Sequence, residues 1–262
     1  MNLDSFYQDH WRDIEDDRLK RYDTMFQWRP EQDALLAPLD LKEGLTVVDY
    51  GCGPGYLAME IARRVGEKGK VFGLDLNASF INAAIDKAKA DNLAQIDFVL
   101  VKDNNLPVEA NSVDRILCKN VLEYVPDALE TLKAHHEILA PGGLIQILDS
   151  DWGFVIVEPW GKKRVDEFFD AASAAFKEPY IGRKLSGLLN QAGFKKIDIK
   201  ISPWIDKKGH AMSVLTNMVS YIDTFQTLDK IIVDSMMAEL NEAIASGDYL
   251  FVLPQFVVTA KK

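Results

Sequence analysis

The sequence predicts an α/β fold of the doubly wound class, and three observations carry that expectation. From residue 45 onward, short apolar runs alternate regularly with helical patterns. The runs are apolar throughout, as strands are when helices cover both faces of a parallel sheet. The first of them, Val47-Val48-Asp49-Tyr50, passes into three alternating glycines, Gly51, Gly53 and Gly55, and straight on into a helix. Right-handed crossovers between such strands wind helices onto both sheet faces.

Residues 4–22 are polar and charged, with Phe6, Trp11 and Tyr22 among their few large apolar groups, and read as helix. Residues 24–39 read as a turn and a short helix with Pro30 at its start. A strand over 45–50 leads to a helix over 54–65 striped by Leu57, Ala58, Ile61, Ala62 and Val65, with Pro54 tolerated in its first turn. A second strand over 71–76 meets Asn77, a good N-cap for a helix with Phe80, Ile81, Ala84, Ile85 and Ala88 on one side. Strands over 96–101 and 113–119 follow. A helix over 126–139, with Leu129, Leu132, His136 and Leu139 inward, is stopped by Pro141-Gly142-Gly143 before a fifth strand over 144–149.

Helices over 164–176 and 185–192 then precede an alternating strand over 194–202. Two amphipathic helical patterns come next, one striped by Met212, Leu215, Met218, Val219 and Ile222, the other by Ile232, Met236, Leu240 and Ile244. The seventh strand, 249–260, contains Pro254, which restricts it to an edge or a bulge. The expected organisation is a helical N-terminal cover over 1–40 and one domain over 41–262. Residues 203–248 form a helical insertion, or lid, before its last strand.

At 262 residues, 48% hydrophobic and 27% charged, the chain has the balance of an ordinary globular protein. No apolar run reaches the roughly 20 residues that span a bilayer. The acidic start, MNLDSFYQDHWRDIEDD, lacks the basic and apolar regions of a secretory signal, so a cytoplasmic location is expected. A net charge of -10, with short and scattered basic clusters, argues against a phosphate-binding surface. No nucleic-acid or membrane partner is expected. Cys52 and Cys118 lack metal-ligand spacing, so buried free thiols are expected and no metal.

The glycines at 51, 53 and 55 let the chain turn sharply and let a ligand approach without a Cβ in the way. The helix that follows offers free N–H groups. The loop alone is also compatible with a plain tight turn. Its spacing is GxGxG, with Tyr56 where the dinucleotide-binding GxGxxG needs its third glycine. The second strand ends at Asp75, where a carboxylate is placed to accept hydrogen bonds from both hydroxyls of a ribose.

The ordered series VVDYGCGPGYLA, VFGLDLN, FVLVKDNNLPVEANSVDRILCKNVLEYV and LAPGGLIQILD resembles the motifs of class I S-adenosylmethionine-dependent methyltransferases over residues 45–150. Within them it is most similar to the small-molecule enzymes of the ubiquinone-biosynthesis-like and generic methyltransferase-domain type. The resemblance implies a Rossmann-like, mostly parallel sheet of seven strands, S-adenosyl-L-methionine as methyl donor and S-adenosyl-L-homocysteine as product.

It also implies roles. Gly51, Gly53 and Gly55 would pass under the methionine part of the donor, with Asp49 orienting the loop near its amino group. Asp75 would bind the ribose hydroxyls, with Leu76 against the adenine. Asp103 would accept from the adenine amino group beside Asn104, and Lys119 and Asn120 would line the methionine moiety. In related enzymes the segment before the first strand folds over the donor, which makes Tyr22, Phe26, Trp28 and Arg29 candidates for the cover. Arg29 is a candidate partner for the donor carboxylate. Plainer alternatives stay open: Asn77, Asn104 and Asn111 as caps or turns, Leu76 as core, and the N-terminal segment as a helix packed on the sheet edge.

Methyl transfer from a sulfonium needs alignment and exclusion of water more than a catalytic triad. A base is needed only where the acceptor must lose a proton. After the fourth strand the chain reads Asn120-Val121-Leu122-Glu123-Tyr124, not the Asn/Asp-Pro-Pro-Tyr/Phe of amino-methylating DNA and glutamine enzymes. It also lacks a Pro-Cys nucleophile, so the expected acceptor is a small molecule with an O, N or C nucleophile. Asp149 and Asp151 are candidates for base or amine-orienting group, His210 for base, Tyr124 for a group near the donor methyl, and Trp152 for a pocket wall. A cap, a packed aromatic and a surface histidine are the alternatives for Asp151, Trp152 and His210. A homodimer is entertained as the assembly. Two other functions stay open: an NAD(P)-dependent oxidoreductase, which the missing third glycine and the lack of a Tyr-x-x-x-Lys pair disfavour, and a non-catalytic S-adenosylmethionine-binding subunit.

Overall fold

The computed structural model describes residues 3–102 and 106–262. Two helices, α1 (Phe6–Arg12) and α2 (Asp16–Met25), stand where one was expected over 4–22. Asp13 and Glu15 adopt extended conformations between them, which ends the first helix and caps the second. The one-turn α3 (Asp33–Leu36) then leads to the sheet. The alternating half follows as β1 (Thr46–Tyr50), α4 (Tyr56–Val65), β2 (Lys70–Asp75), α5 (Ala78–Ala90), β3 (Ile96–Leu100), β4 (Val113–Lys119), α6 (Ala128–Ile138) and β5 (Leu139–Ser150). The rest is β6 (Ile156–Glu158), α7 (Gly161–Ala172), α8 (Ile181–Gln191), β7 (Lys195–Asp206), α9 (Met212–Phe225), α10 (Lys230–Ser246) and β8 (Leu250–Lys261).

Among the described residues the sheet has eight strands, in the order β3-β2-β1-β4-β5-β8-β6, with β7 also paired to β8. The first five strands are parallel, and β8 runs antiparallel to β5, β6 and β7. The expectation of seven strands missed β6, whose three residues are too few to show a periodicity. The expected insertion also begins later than residue 203, because β7 continues to Asp206.

The expectation that Pro254 confines the last strand to an edge or bulge fails for a specific reason. β8 lies inside the sheet, and Pro254 stands opposite Pro203 of β7. Two prolines cannot exchange a pair of N–H···O bonds, so this rung asks for no donor from either strand. On the other side of β8, pairing with β6 ends at Val252 and pairing with β5 begins at Gln255. Pro254 falls in the gap.

The helical stripes pack as their spacing predicts. Ala58, Ile61, Ala62 and Val65 of α4 join Ile81, Ala84 and Ala88 of α5 over Val47 and Val71 on one sheet face. Leu132 and Ile138 of α6 join Leu185 and Leu189 of α8 over Val48, Ile116 and Ile145 on the other. In α10 the buried side runs through Val233, Met236, Leu240 and Ala243, which leaves Ile232 44% exposed. In α6 it is His135 rather than His136 that is buried. Its ring meets Tyr50 edge-on at 4.6 Å, and burial pulls its pKa down to about 3, so it stays neutral. Both cysteines are buried and free. No helix among the described residues is long and apolar enough to cross a membrane.

Candidate active site

Strands β1, β2 and β4 deliver their last residues to one end of the sheet, and a loop follows each. After β1 the chain turns through Gly51 at φ 75° and Gly53 at φ 53°, left-handed conformations that an L side chain resists. A Cβ on Gly51 would fall 2.2 Å from Val121 Cγ2, so the loops after β1 and β4 touch through a bare backbone. A Cβ on Gly53 would meet nothing nearer than Phe26 at 3.9 Å. Gly51 is therefore required by packing, while Gly53 keeps an open face. Gly55 belongs to packing as well, since a Cβ there would lie 2.7 Å from Ala84 Cβ and from the Phe98 ring.

Asp75 links these loops. Its Oδ2 accepts the Gly53 N–H at 2.8 Å and its Oδ1 the Asn77 N–H at 2.8 Å. Asn77 in turn caps α5, its Oδ1 accepting from the Phe80 N–H at 2.9 Å as its sequence position predicts. The Asn77 amide donates to the Trp11 carbonyl at 2.8 Å, which ties the N-terminal segment to the end of β2. The Tyr56 hydroxyl and the Lys87 ammonium both donate to Asp23, at 3.1 and 2.7 Å, and dock α2 on α4 and α5.

A cavity of about 1500 Å³ lies above these strand ends. Asp49, Gly51, Gly53, Asp75, Leu76, Lys119 and Asn120 line its floor. Glu123, Tyr124, Trp152, Trp204 and Tyr221 line a far wall, and Trp11, Tyr22, Phe26 and Arg29 belong to the cover. Asp49 is 2% exposed, and burial pushes its carboxyl up to about 7, opposed by Lys119. Burial lowers the Lys119 pKa, against the pull of Asp49, Asp149 and Glu123. Asp75 is raised by burial and held down by its N–H donors. Asp49 Oδ2 and Asn120 Oδ1 are buried and have no hydrogen-bond partner among the described residues.

Each such orphaned acceptor costs about 1–3 kcal/mol unless a ligand supplies a donor. A ligand bearing an ammonium for Asp49 and Asn120, and vicinal hydroxyls for Asp75, answers this floor. The donor implied by the sequence carries both groups, so the residues present fit it.

The remaining candidates distribute unevenly. Tyr22 and Arg29 reach the cavity, Tyr22 as a buried ring and Arg29 exposed at the mouth. Trp28 stacks under Arg64 instead. Asp103 and Asn104 lie outside the described residues. Tyr124 lines the wall, and burial raises its hydroxyl well above the usual range, so it stays protonated. His210 stands at the rim, exposed.

Asp149 and Asp151 do not line the cavity. Asp149 is fully buried, accepts the N–H groups of Leu122 at 3.0 Å and Ser150 at 3.1 Å, and is pushed by burial up to about 7. Asp151 holds Arg183 in a two-pronged pair at 2.5 and 2.6 Å and accepts the Gly153 N–H. Both carboxyls are occupied in holding backbone and α8. Trp11, Glu123, Asn217 and Tyr221 also line the cavity, beyond the residues the motifs point to. Only Glu123 carried a signal, its position three residues after Asn120.

Residues 41–209 match the family model described as a methyltransferase domain. The demethylmenaquinone methyltransferase of Staphylococcus saprophyticus is 28% identical over 200 residues, covering 70% of this chain and 84% of that protein. A 37.1 kDa protein encoded in a transposon of Streptomyces fradiae is 27% identical over 168 residues, 63% of this chain, and the chain spans about half of its length, 48%. Among solved structures, phosphoethanolamine N-methyltransferase 2 of Haemonchus contortus, in complex with phosphomonomethylethanolamine and S-adenosylhomocysteine, superposes with a TM-score of 0.66 at 16% identity. That match covers 100% of this chain and 60% of the other, and at this identity it speaks for the fold. The family model spans more than half of the sequence, and the chain belongs to the methyltransferase-domain family, as a class I S-adenosylmethionine-dependent methyltransferase.

Proposed function

We propose that this chain moves a methyl group from S-adenosylmethionine to a small-molecule acceptor seated between the N-terminal cover and the helical insertion. One observation carries the reading. Asp75, with Asp49 and Asn120 and their buried unpartnered acceptors, lines a single cavity whose opposite wall is aromatic. In this reading Asp49 and Asn120 take the donor's ammonium, Asp75 its ribose hydroxyls, and the open face of Gly53 leaves room for the chain between them. Arg29, at the mouth, is within the cover that the donor carboxylate would meet.

The bound donor supplies an activated methyl group on a sulfonium. The protein's own work is alignment and the exclusion of water. The segment ahead of β1 serves as cover and the helices between β7 and β8 as lid. The Asn217 amide donates to the Tyr22 hydroxyl at 3.1 Å, and Arg21 donates to Asn217 Oδ1 at 3.4 Å, joining α2 to α9 over the cavity. Tyr124 and Tyr221, kept protonated by burial, are hydroxyls able to orient an acceptor. His210 is the candidate base at the rim.

Calorimetry with S-adenosylhomocysteine tests the reading. One equivalent should bind, and Asp75→Ala should weaken it. No heat with this ligand alongside tight binding of NAD(H) would instead support the oxidoreductase.

A further inference from the structure

We propose that the outer half of the cavity takes a cationic amine as the methyl acceptor, its nitrogen seated against the Glu123 carboxylate in the cavity that Trp11, Tyr124 and Tyr221 also line. This rests on the methyltransferase reading above and names the substrate class of that site.

Glu123 sits in the one-turn 3-10 helix Leu122–Tyr124 that follows the floor residues of β4, and it lines the cavity. It is 2% exposed, yet among the described residues no lysine or arginine forms a salt bridge with it. Its position is fixed from both sides. The Trp152 indole N–H donates to Oε2 at 2.7 Å, and the Glu123 carbonyl accepts the N–H groups of Lys177 at 2.9 Å and Glu178 at 3.1 Å. A carboxylate held this firmly, in a buried wall, is a built feature of the cavity.

That wall holds three acidic side chains to one basic one. Asp49, Asp149 and Glu123 are buried carboxyls, and Lys119 is the lysine they share. The donor's ammonium answers Asp49 and Asn120 and leaves Glu123 as it was. Burial favours the neutral acid of Glu123 while the cavity is empty, and a positively charged nitrogen seated beside it would draw that proton off to solvent and leave a paired carboxylate.

The surrounding rings suit the same ion. Trp11 meets Tyr124 edge-on at 5.1 Å, and Trp11, Tyr124 and Tyr221 all pack around the buried His10 ring, at 5.2, 5.6 and 5.2 Å, while lining the same cavity as Glu123. An aromatic face attracts an ammonium or a methylated ammonium most strongly where water is excluded. A neutral planar acceptor would use these rings and leave Glu123 uncompensated. An anionic group on the acceptor would point outward, where Arg21 and Arg29 stand exposed at the mouth.

The carboxylate also has a use for the proton. An ammonium cannot attack until its lone pair is free, and one N–H proton passes to Glu123, giving a neutral amine and a carboxylic acid. Burial first, then Asp149, hold Glu123 well above the usual carboxylate range, which makes it a stronger base than an exposed glutamate.

The test uses the full chain saturated with S-adenosylhomocysteine and two probes of similar size, the tetramethylammonium ion and neutral tert-butanol, followed by NMR titration. Tetramethylammonium should bind at least about tenfold more tightly than tert-butanol. Glu123→Gln keeps an acceptor for Trp152, should bring the two probes within about twofold, and should leave S-adenosylhomocysteine affinity unchanged. Trp11→Leu should weaken tetramethylammonium several-fold and tert-butanol little, which keeps the question open to an answer if Glu123→Gln does not fold. Equal binding of the two probes to the wild-type chain overturns the amine acceptor, as does discrimination that survives Glu123→Gln or an equal loss for both probes in Trp11→Leu. Failure of S-adenosylhomocysteine itself to bind overturns the methyltransferase reading, and the acceptor proposal with it.

Discussion

The backbone N–H of Gly53 donates to Asp75 Oδ2 at 2.8 Å, so the glycine turn after β1 and the acidic end of β2 form one unit. A substitution at Asp75 should therefore act twice, removing a ligand acceptor and loosening the loop that faces the ligand. Asp75→Ala should lower S-adenosylhomocysteine affinity by about 2–3 kcal/mol, the scale of a lost charged hydrogen bond. Calorimetry would read this as roughly a 30- to 150-fold rise in Kd. Unchanged affinity would take Asp75 out of the site.

Gly51 should not tolerate a side chain. Gly51→Ala places a Cβ against Val121 and forces a left-handed conformation on an alanine, together costing on the order of 1–3 kcal/mol. Thermal unfolding of Gly51→Ala, and of the pair with Val121→Ala, separates the two effects. The second change should recover the clash but leave the backbone strain.

Asp49 gives a pH dependence of a definite sign. Its ordinary value is 3.8, and burial holds it near 7 in the folded chain, so between these values the folded state binds more protons than the unfolded one. Stability without ligand should then fall as pH rises from about 4 to about 7, and Asp149, also raised to about 7, adds in the same direction. Asp49→Asn should reduce this slope and raise the melting temperature at pH 8, while S-adenosylhomocysteine binds more weakly. A melting temperature at pH 8 that drops in Asp49→Asn would contradict the assignment of Asp49 as an uncompensated buried acid.

The contact between cover and lid should be separable from the floor. Tyr22→Phe removes the hydroxyl that accepts from Asn217 and Arg18 in a buried setting, and about 1–2 kcal/mol of local stability should go with it. Hydrogen exchange should speed up in α9 and α2 while the amides of β1, β2 and β4 keep their protection. Uniform acceleration across the sheet would mean that the cover is part of the global fold.

The parts of this molecule that could be read from its sequence are those dictated by short-range periodicity. The strands from β1 to β5, the stripes of α4 and α5, and the Asn77 cap follow from local spacing and were legible as such. So was the meeting of the glycine turn with Asp75 at one end of the sheet, because a glycine turn and a strand-terminal carboxylate are local features. The acceptor side was not. Glu123 lies in the turn after β4 and Asp149 near the end of β5, and only packing tells that one lines the cavity while the other holds the Leu122 and Ser150 N–H groups. Pro254 misled for the same reason, since its partner Pro203 lies far away in the chain. His135 and His136 are adjacent, and the first is the one that packs on Tyr50, a residue of the sheet face that α6 covers.

The place of β8 inside the sheet has a kinetic side. Floor residues from Asp49 to Asn120 come from a contiguous stretch whose parallel strands lie beside one another. Leu253 and Gln255, which line the same cavity, reach it only when β8 enters between β5 and β7. Closing that long loop is entropically costly and slow compared with local pairing. The pocket for the donor is thus expected to mature before the pocket for the acceptor, and a refolding chain should gain affinity for S-adenosylhomocysteine ahead of its last phase of tertiary structure.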